Sequence, residues 1–334
     1  MILAGRGAAI EPAVPAVLDA VVAALRSGGT LRDGLASASV HGPLAADIRR
    51  VLDHGDDATL RDALDTLART HPVRPLRFAV SAMLLALDTG AAQTPALEAA
   101  AARVRHRVAA AREVRALSAP ARASGAVIAC TPFVFAVLVV LIDPSVMRAA
   151  LGSTAGRVCI LLGVAFELVG ARWMRALVAS PLAQAPSIDD ELADFADLLA
   201  LALGAGLTVA TALAAVAPRV EGSVGRAVRV ALARVAGGRR LHDELAALPS
   251  VLGPAAQPLV DVMRAAQHDG APAAAAIERL ASELHHAGRQ RVTERVQRLP
   301  VLLLFPLVGC VLPAFVLLAV VPIALGSVLA LQGG

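Results

Sequence analysis

The chain has 334 residues, of which 57% are hydrophobic, 17% charged and 2% aromatic, with no tyrosine. Abundant Ala, Leu and Val with so few aromatics favour packed helices over a β-sheet core, and the low charge excludes an ordinary soluble chain. The net charge of +4 does not mark a nucleic-acid binder, because the clustered arginines adjoin apolar runs and lack interleaved aromatics for stacking.

From the N-terminus, MILAGRGAAIEPAVP holds no apolar core of signal-peptide length before Glu11 and Pro12, so it is expected to stay in the cytoplasm. Val14, Val17, Leu18, Val21, Val22 and Leu25 recur at helical spacing, predicting a helix over 13–25. Ser27-Gly28-Gly29 breaks it, and Thr30 caps the next helix, which carries Leu31 and Leu35. Further helices are expected over 43–52, 60–68 and 76–87, the last ending at Gly90, while the two prolines of 71–75 read as a loop. Pro95 fits the first turn of a long helix. That helix carries Arg103, Arg105, Arg107, Arg112 and Arg115 and enters an apolar run at 123–142. Twenty residues at about 1.5 Å each give roughly 30 Å, the thickness of a bilayer's hydrocarbon core.

Residues 1–122 thus form a first helical lobe, 123–142 a first span and 143–157 a short external loop. A second span is expected over 158–177, with Glu167 in its middle and Arg172, Trp173 and Arg175 near its end as interfacial groups. A second lobe covers 178–298. Ser187 and Asp190 fit a capping box, and Leu192, Phe195, Leu198, Leu199 and Leu203 form an apolar face opposite Asp190, Asp194 and Asp197. Gly204-Ala205-Gly206 turns the chain, Thr208 caps the next helix, and helices continue to a stop near Gly270. A long helix over 272–298, with Arg289, Arg291, Arg295 and Arg298, feeds a last span at 299–332, with Pro306 and Pro313 as kink points. Fifteen arginines precede the first span, fourteen lie from Arg172 to Arg298, Arg148 and Arg157 lie between, and none follows. The positive-inside rule then puts the N-terminus and both lobes in the cytoplasm and the C-terminus outside.

The two lobes repeat one plan. Asp19, Leu25, Gly28, Thr30 and Leu35 match Asp197, Leu203, Gly206, Thr208 and Leu213. Gly90, Leu97, Arg115, Pro120, Cys130 and Phe135 match Gly270, Ile277, Arg295, Pro300, Cys310 and Phe315 after a two-residue insertion. Gly28, Gly90, Gly206 and Gly270 are the structural turns, and duplication is the simplest source of this pattern. Two long helices therefore run from lobe to span, each with a proline at the crossing. Arg115, Pro120, Arg295 and Pro300 are candidates for coupling lobe to membrane.

No residue pattern points to catalysis. With no lysine in the chain there is no phosphate-binding P-loop, and no serine has a His/Asp arrangement for a nucleophile. Cys130, Cys159 and Cys310 lie in apolar spans and read as packing residues. His268, His285 and His286 read as surface histidines, since adjacent histidines on a helix point about 100° apart and cannot chelate one ion together. No metal and no cofactor is expected. Glu167 is the sharpest single residue, because a carboxylate within a span is costly. It is a candidate intramembrane or partner contact, against a plain reading as a protonated or arginine-paired group near the inner interface, with Arg172 five residues on. Asp19 and Asp197 are candidate acidic contacts for a partner or for the other lobe; a solvated polar face is the plainer expectation.

The segments DELADFADLLALALGAGLTVATALAAVA (190–217), RVTERVQRLPVLLLFPLVGCVLPAFVL (291–317) and ALVASPLAQAPS (176–187) resemble the type II secretion system F domain. They look especially like the tight-adherence (Tad) pilus platform proteins. The order lobe, span, span, lobe, span is also similar to the two-lobed platforms of type II secretion and type IV pili. The resemblance implies an all-α polytopic platform in a bacterial inner membrane that catalyses nothing. It would couple a cytoplasmic assembly ATPase to pilin or pseudopilin subunits, as a homo-oligomer or beside a paralogous platform protein, among membrane lipids. The rival class is an oligomeric transporter or channel subunit that uses Glu167.

Overall fold

The structure, a computed structural model, describes residues 9–53, 57–90, 93–142, 144, 148, 151–179, 187–269, 272–321 and 324. Among these the ordered elements are helices, with no strand. They are, in chain order, α1 (Val14–Arg26), α2 (Leu31–Ala38), α3 (Ala45–Leu52), α4 (Asp57–Thr70), α5 (Arg74–Thr89), α6 (Gln93–Ile142) and α7 (Thr154–Ala179). There follow α8 (Ile188–Gly204), α9 (Val209–Val216), α10 (Gly222–Ala236), α11 (Leu241–Leu252), α12 (Gln257–Asp269), α13 (Ala274–Pro306) and α14 (Leu312–Phe315). The chain divides into two compact units, one of Met1–Arg112 with Pro186–Arg289 and one of Glu113–Ala185 with Gln290–Gly334. Both expected lobes therefore fall largely in a single unit.

The first unit has one continuous apolar core fed by both halves of the chain. Leu18, Leu35, Leu64, Met83, Leu97 and Val104 come from one half, and Phe195, Leu199, Leu213, Met263 and Ile277 from the other. The duplication is visible in the local geometry. Gly28 N–H donates to the Leu25 carbonyl at 3.1 Å, and its counterpart Gly206 N–H donates to Leu203 at 3.0 Å. Both glycines have positive φ, 83° and 91°, where a Cβ would be strained. Thr30 then accepts from the Asp33 N–H and Thr208 from the Thr211 N–H, so each second helix starts under a threonine cap. Gly90 ends α5 at φ 65°, while its counterpart Gly270 lies outside the described residues.

Three expectations are corrected in this unit. Arg74 and Pro75, read as loop, open α5, because proline is tolerated in a helix's first turn. Asp197 does not lie on a solvated face of α8: it is buried along with Leu192, Ala193, Phe195, Ala196 and Leu198. His285 is only 21% exposed rather than a surface group.

In the second unit α7 lies against the C-terminal segment. Gly163, Glu167, Gly170 and Met174 are buried along one stripe of α7, opposite buried Pro306, Cys310, Val311, Ala314 and Leu318. A Cβ on Gly163 would come within 2.6 Å of the Leu318 Cγ, and one on Gly170 within 2.9 Å of the Cys310 Cβ, so only glycine permits this approach. After α13 the chain widens into π-helical turns at Leu307–Val311 and Val316–Val320, flanking α14. Pro313 removes a ladder donor and would crowd the preceding turn, which a wider helix relieves. The repeat-related Phe135 and Phe315 meet with ring centroids 5.2 Å apart in a tilted arrangement. Among the described residues no helix is long and apolar enough to cross a membrane. Several side chains of the expected spans 123–142 and 299–332 lie outside those described.

Candidate functional site

α8 sets Asp190, Asp194 and Asp197 at spacings of four and three, which places them on one helical face. α6 sets Arg103 and Arg107 four residues apart, and α5 adds Arg74. These complementary stripes interlock. Arg74 binds Asp194 at 2.7 Å and donates to the Asp190 carbonyl at 3.1 Å. Arg107 binds Asp194 at 2.5 Å, forms an ion pair with Asp197 and lies 4.4 Å above the Phe78 ring. Arg103 reaches the Asp197 carboxylate at 3.3 Å and its carbonyl at 3.0 Å, and bonds Glu278 at 2.9 Å.

His285 on α13 completes the cluster, with Nε2 2.8 Å from Asp197 Oδ2. Nε2 donates to that carboxylate when it carries the proton, and it also lies 3.1 Å from Arg107 Nη2, which can only donate. Asp197 is 3% exposed. Its burial works to raise the carboxyl's pKa. The His285 hydrogen bond and the charges of Arg107, His285 and Arg103 outweigh that and hold it below the ordinary value. Arg107 is likewise penalised by burial but held above its ordinary value by Asp194 and Asp197. Asp197 thus ties α8 to α6 and α13, the two helices that contribute residues to both units.

A second set of contacts borders a cleft of about 660 Å³ lined by Arg61, Arg77, Ser81, Arg219 and Glu221. Arg61 and Arg219 share Asp88, and Arg77 pairs with Glu221. Its arginines are largely matched by carboxylates, so the cleft offers no surplus charge to a ligand.

Asp19, the counterpart of Asp197, is in a different setting. It pairs with Arg105, and both are about half exposed. Arg105 and His285 are themselves repeat counterparts, so one acid–base pair occurs twice, exposed in one copy and buried in the other. The side chains of Arg115, Pro120, Arg295 and Pro300 are outside those described. Glu167 is 1% exposed, and neither carboxylate oxygen has a hydrogen-bond partner among the described residues. No group of three His, Cys, Asp or Glu among the described residues could hold a metal ion.

Both halves of this arrangement match one family model, that of the type II secretion system protein F, over residues 11–141 and 195–321. The chain belongs to the type II secretion protein F family. Members of this family are inner-membrane platform proteins of secretion and pilus machines. The two matched segments of this F-family chain include Asp19 and Arg105 in one copy and Asp197 and His285 in the other. No curated protein and no solved structure matches the chain.

Sequence reasoning missed Arg74, Phe78 and His285 as members of the clasp. The available signal was the pair of matched stripes, basic on α6 and acidic on α8. Nothing in the sequence says that they face each other.

Proposed function

We propose that this chain is a multi-pass inner-membrane platform of a Tad-like pilus or type II secretion machine, a scaffold that passes movement from a cytoplasmic assembly ATPase to pilin subunits. The double F-family match carries the reading. The inverted surface of the second unit supports its membrane part. Leu161, Leu168, Val169, Val301, Phe305 and Val308 point outward there while Glu167 is buried. The spans in this reading are the apolar sequence runs at 123–142, 158–177 and 299–332, and the arginine distribution favours cytoplasmic lobes with the C-terminus outside.

In this reading both lobes, 1–122 and 178–298, answer to the ATPase as one body. The half-exposed Asp19 is available to a partner, whereas Asp197 serves inside. Arg115, Pro120, Arg295 and Pro300 lie on the two helices that would carry the motion, and a homo-oligomer or a paralogous platform would complete the assembly. The second reading is an oligomeric transporter, favoured only by Glu167, which has no hydrogen-bond partner among the described residues. Affinity purification of the full chain from its native membranes separates the two. Copurified ATPase and pilin-like subunits support the platform, and ion flux in proteoliposomes of the chain alone supports transport.

A further inference from the structure

Among the described residues, Glu167 is the most anomalous group. It lies near the middle of α7, 1% exposed, with both oxygens unpartnered among the described residues. A buried polar group without a partner is costly, and native structures rarely keep one without a use. The surrounding seam is built for close approach rather than for stabilising a carboxylate. Gly163 and Gly170 lie one turn to either side, with Leu318 facing the first and Cys310 and Val311 the second. The facing segment has lost regular α-geometry at two π-helical turns, a feature that recurs at functional sites and loosens the backbone ladder. The buried residues across the seam, Cys310, Val311, Ala314 and Leu318, offer no charged group, so whatever meets Glu167 there must itself be largely apolar.

We propose that the seam between α7 and the π-helical segment is a docking seat for an apolar partner helix carrying one basic side chain, whose ammonium or guanidinium group pairs with Glu167. Charge complementarity selects the occupant. In apolar surroundings a lone carboxylate is satisfied best by a cation, and a charged hydrogen bond is roughly twice as strong as a neutral one. The glycines let the seam close in the absence of the partner. The π turns let the C-terminal segment yield when the partner arrives. The inference rests on the membrane reading of the second unit.

The chain's one tryptophan, Trp173, lies six residues beyond Glu167 and reports occupancy. The full chain in lipid nanodiscs would be titrated with dansyl-labelled Leu/Ala peptides of about 20 residues, carrying a central lysine, leucine or glutamate, and energy transfer from Trp173 measured. The lysine peptide is expected to bind at least roughly tenfold more tightly than the leucine peptide. Glu167→Gln should abolish that preference and Glu167→Asp should keep most of it. Equal binding of the lysine and leucine peptides, or a preference that survives Glu167→Gln, would overturn the seat while leaving the platform reading intact. Failure of the wild-type chain to enter nanodiscs would instead overturn the membrane reading, and the seat with it.

Discussion

Arg107 and Asp197 lie ninety residues apart in the chain and meet as a buried ion pair, the one stacked on Phe78 and the other bonded to His285. The two residues come from different halves of a duplicated sequence, so the pair fixes one copy against the other. Removing one partner of such a pair leaves an uncompensated buried charge. Asp197→Ala is therefore expected to destabilise the first unit by about 3–5 kcal/mol. Asp19→Ala, which breaks a half-exposed pair, should cost at most about 1 kcal/mol. Urea unfolding followed by circular dichroism on the full chain checks both values.

Acid should act through the same carboxylate. The Asp197 pKa is depressed in the folded chain, so its contribution to stability is complete above the ordinary carboxyl value near 4 and lost as pH falls through the lower folded value. The stability difference between wild type and Asp197→Asn should be constant from neutral pH to about pH 4 and shrink below it. A difference that shrinks instead between neutral pH and about pH 5 would place the effect on another group.

The duplicated caps should behave as a pair. Thr30→Ala and Thr208→Ala each remove the side-chain acceptor for an N-terminal N–H of the second helix of a copy. Each is expected to cost about 1 kcal/mol, and the two should add, since they are independent sites. Denaturant midpoints of the single and double variants test this.

Movement through α6 and α13 requires continuous helices. A flexible Gly-Ser insertion at Ala119 or Leu299 is expected to abolish filament assembly or secretion while sparing membrane insertion. Carbonate extraction of membranes, paired with an assembly assay, reads both outcomes. Assembly that survives both insertions would reduce these helices to anchors.

Local features of this fold were legible in the sequence, and long-range ones were not. Gly28, Gly206, Thr30, Thr208 and the Ser187–Asp190 capping box all act within a few residues, so their spacing alone reveals them. The repeat follows from these same marks. The clasp depends on how two halves pack, and periodicity carries no information on that. Asp194 and Asp197 thus resemble a solvated stripe until Arg74, Arg103 and Arg107 are seen opposite them. His285 was obscured in the same way. Glu167 stood out in the sequence because its cost is local, but its glycine-flanked seam depends on a segment about 150 residues away.

In the proposed platform the two lobes move as one body held by Asp197. Double electron–electron resonance between spin labels at the exposed Ser37 and Ser250 measures this directly in the full chain. The expected result is a single narrow distance distribution in the wild type that broadens in Asp197→Ala. A broad or bimodal distribution in the wild type, or one that Asp197→Ala leaves unchanged, would contradict it.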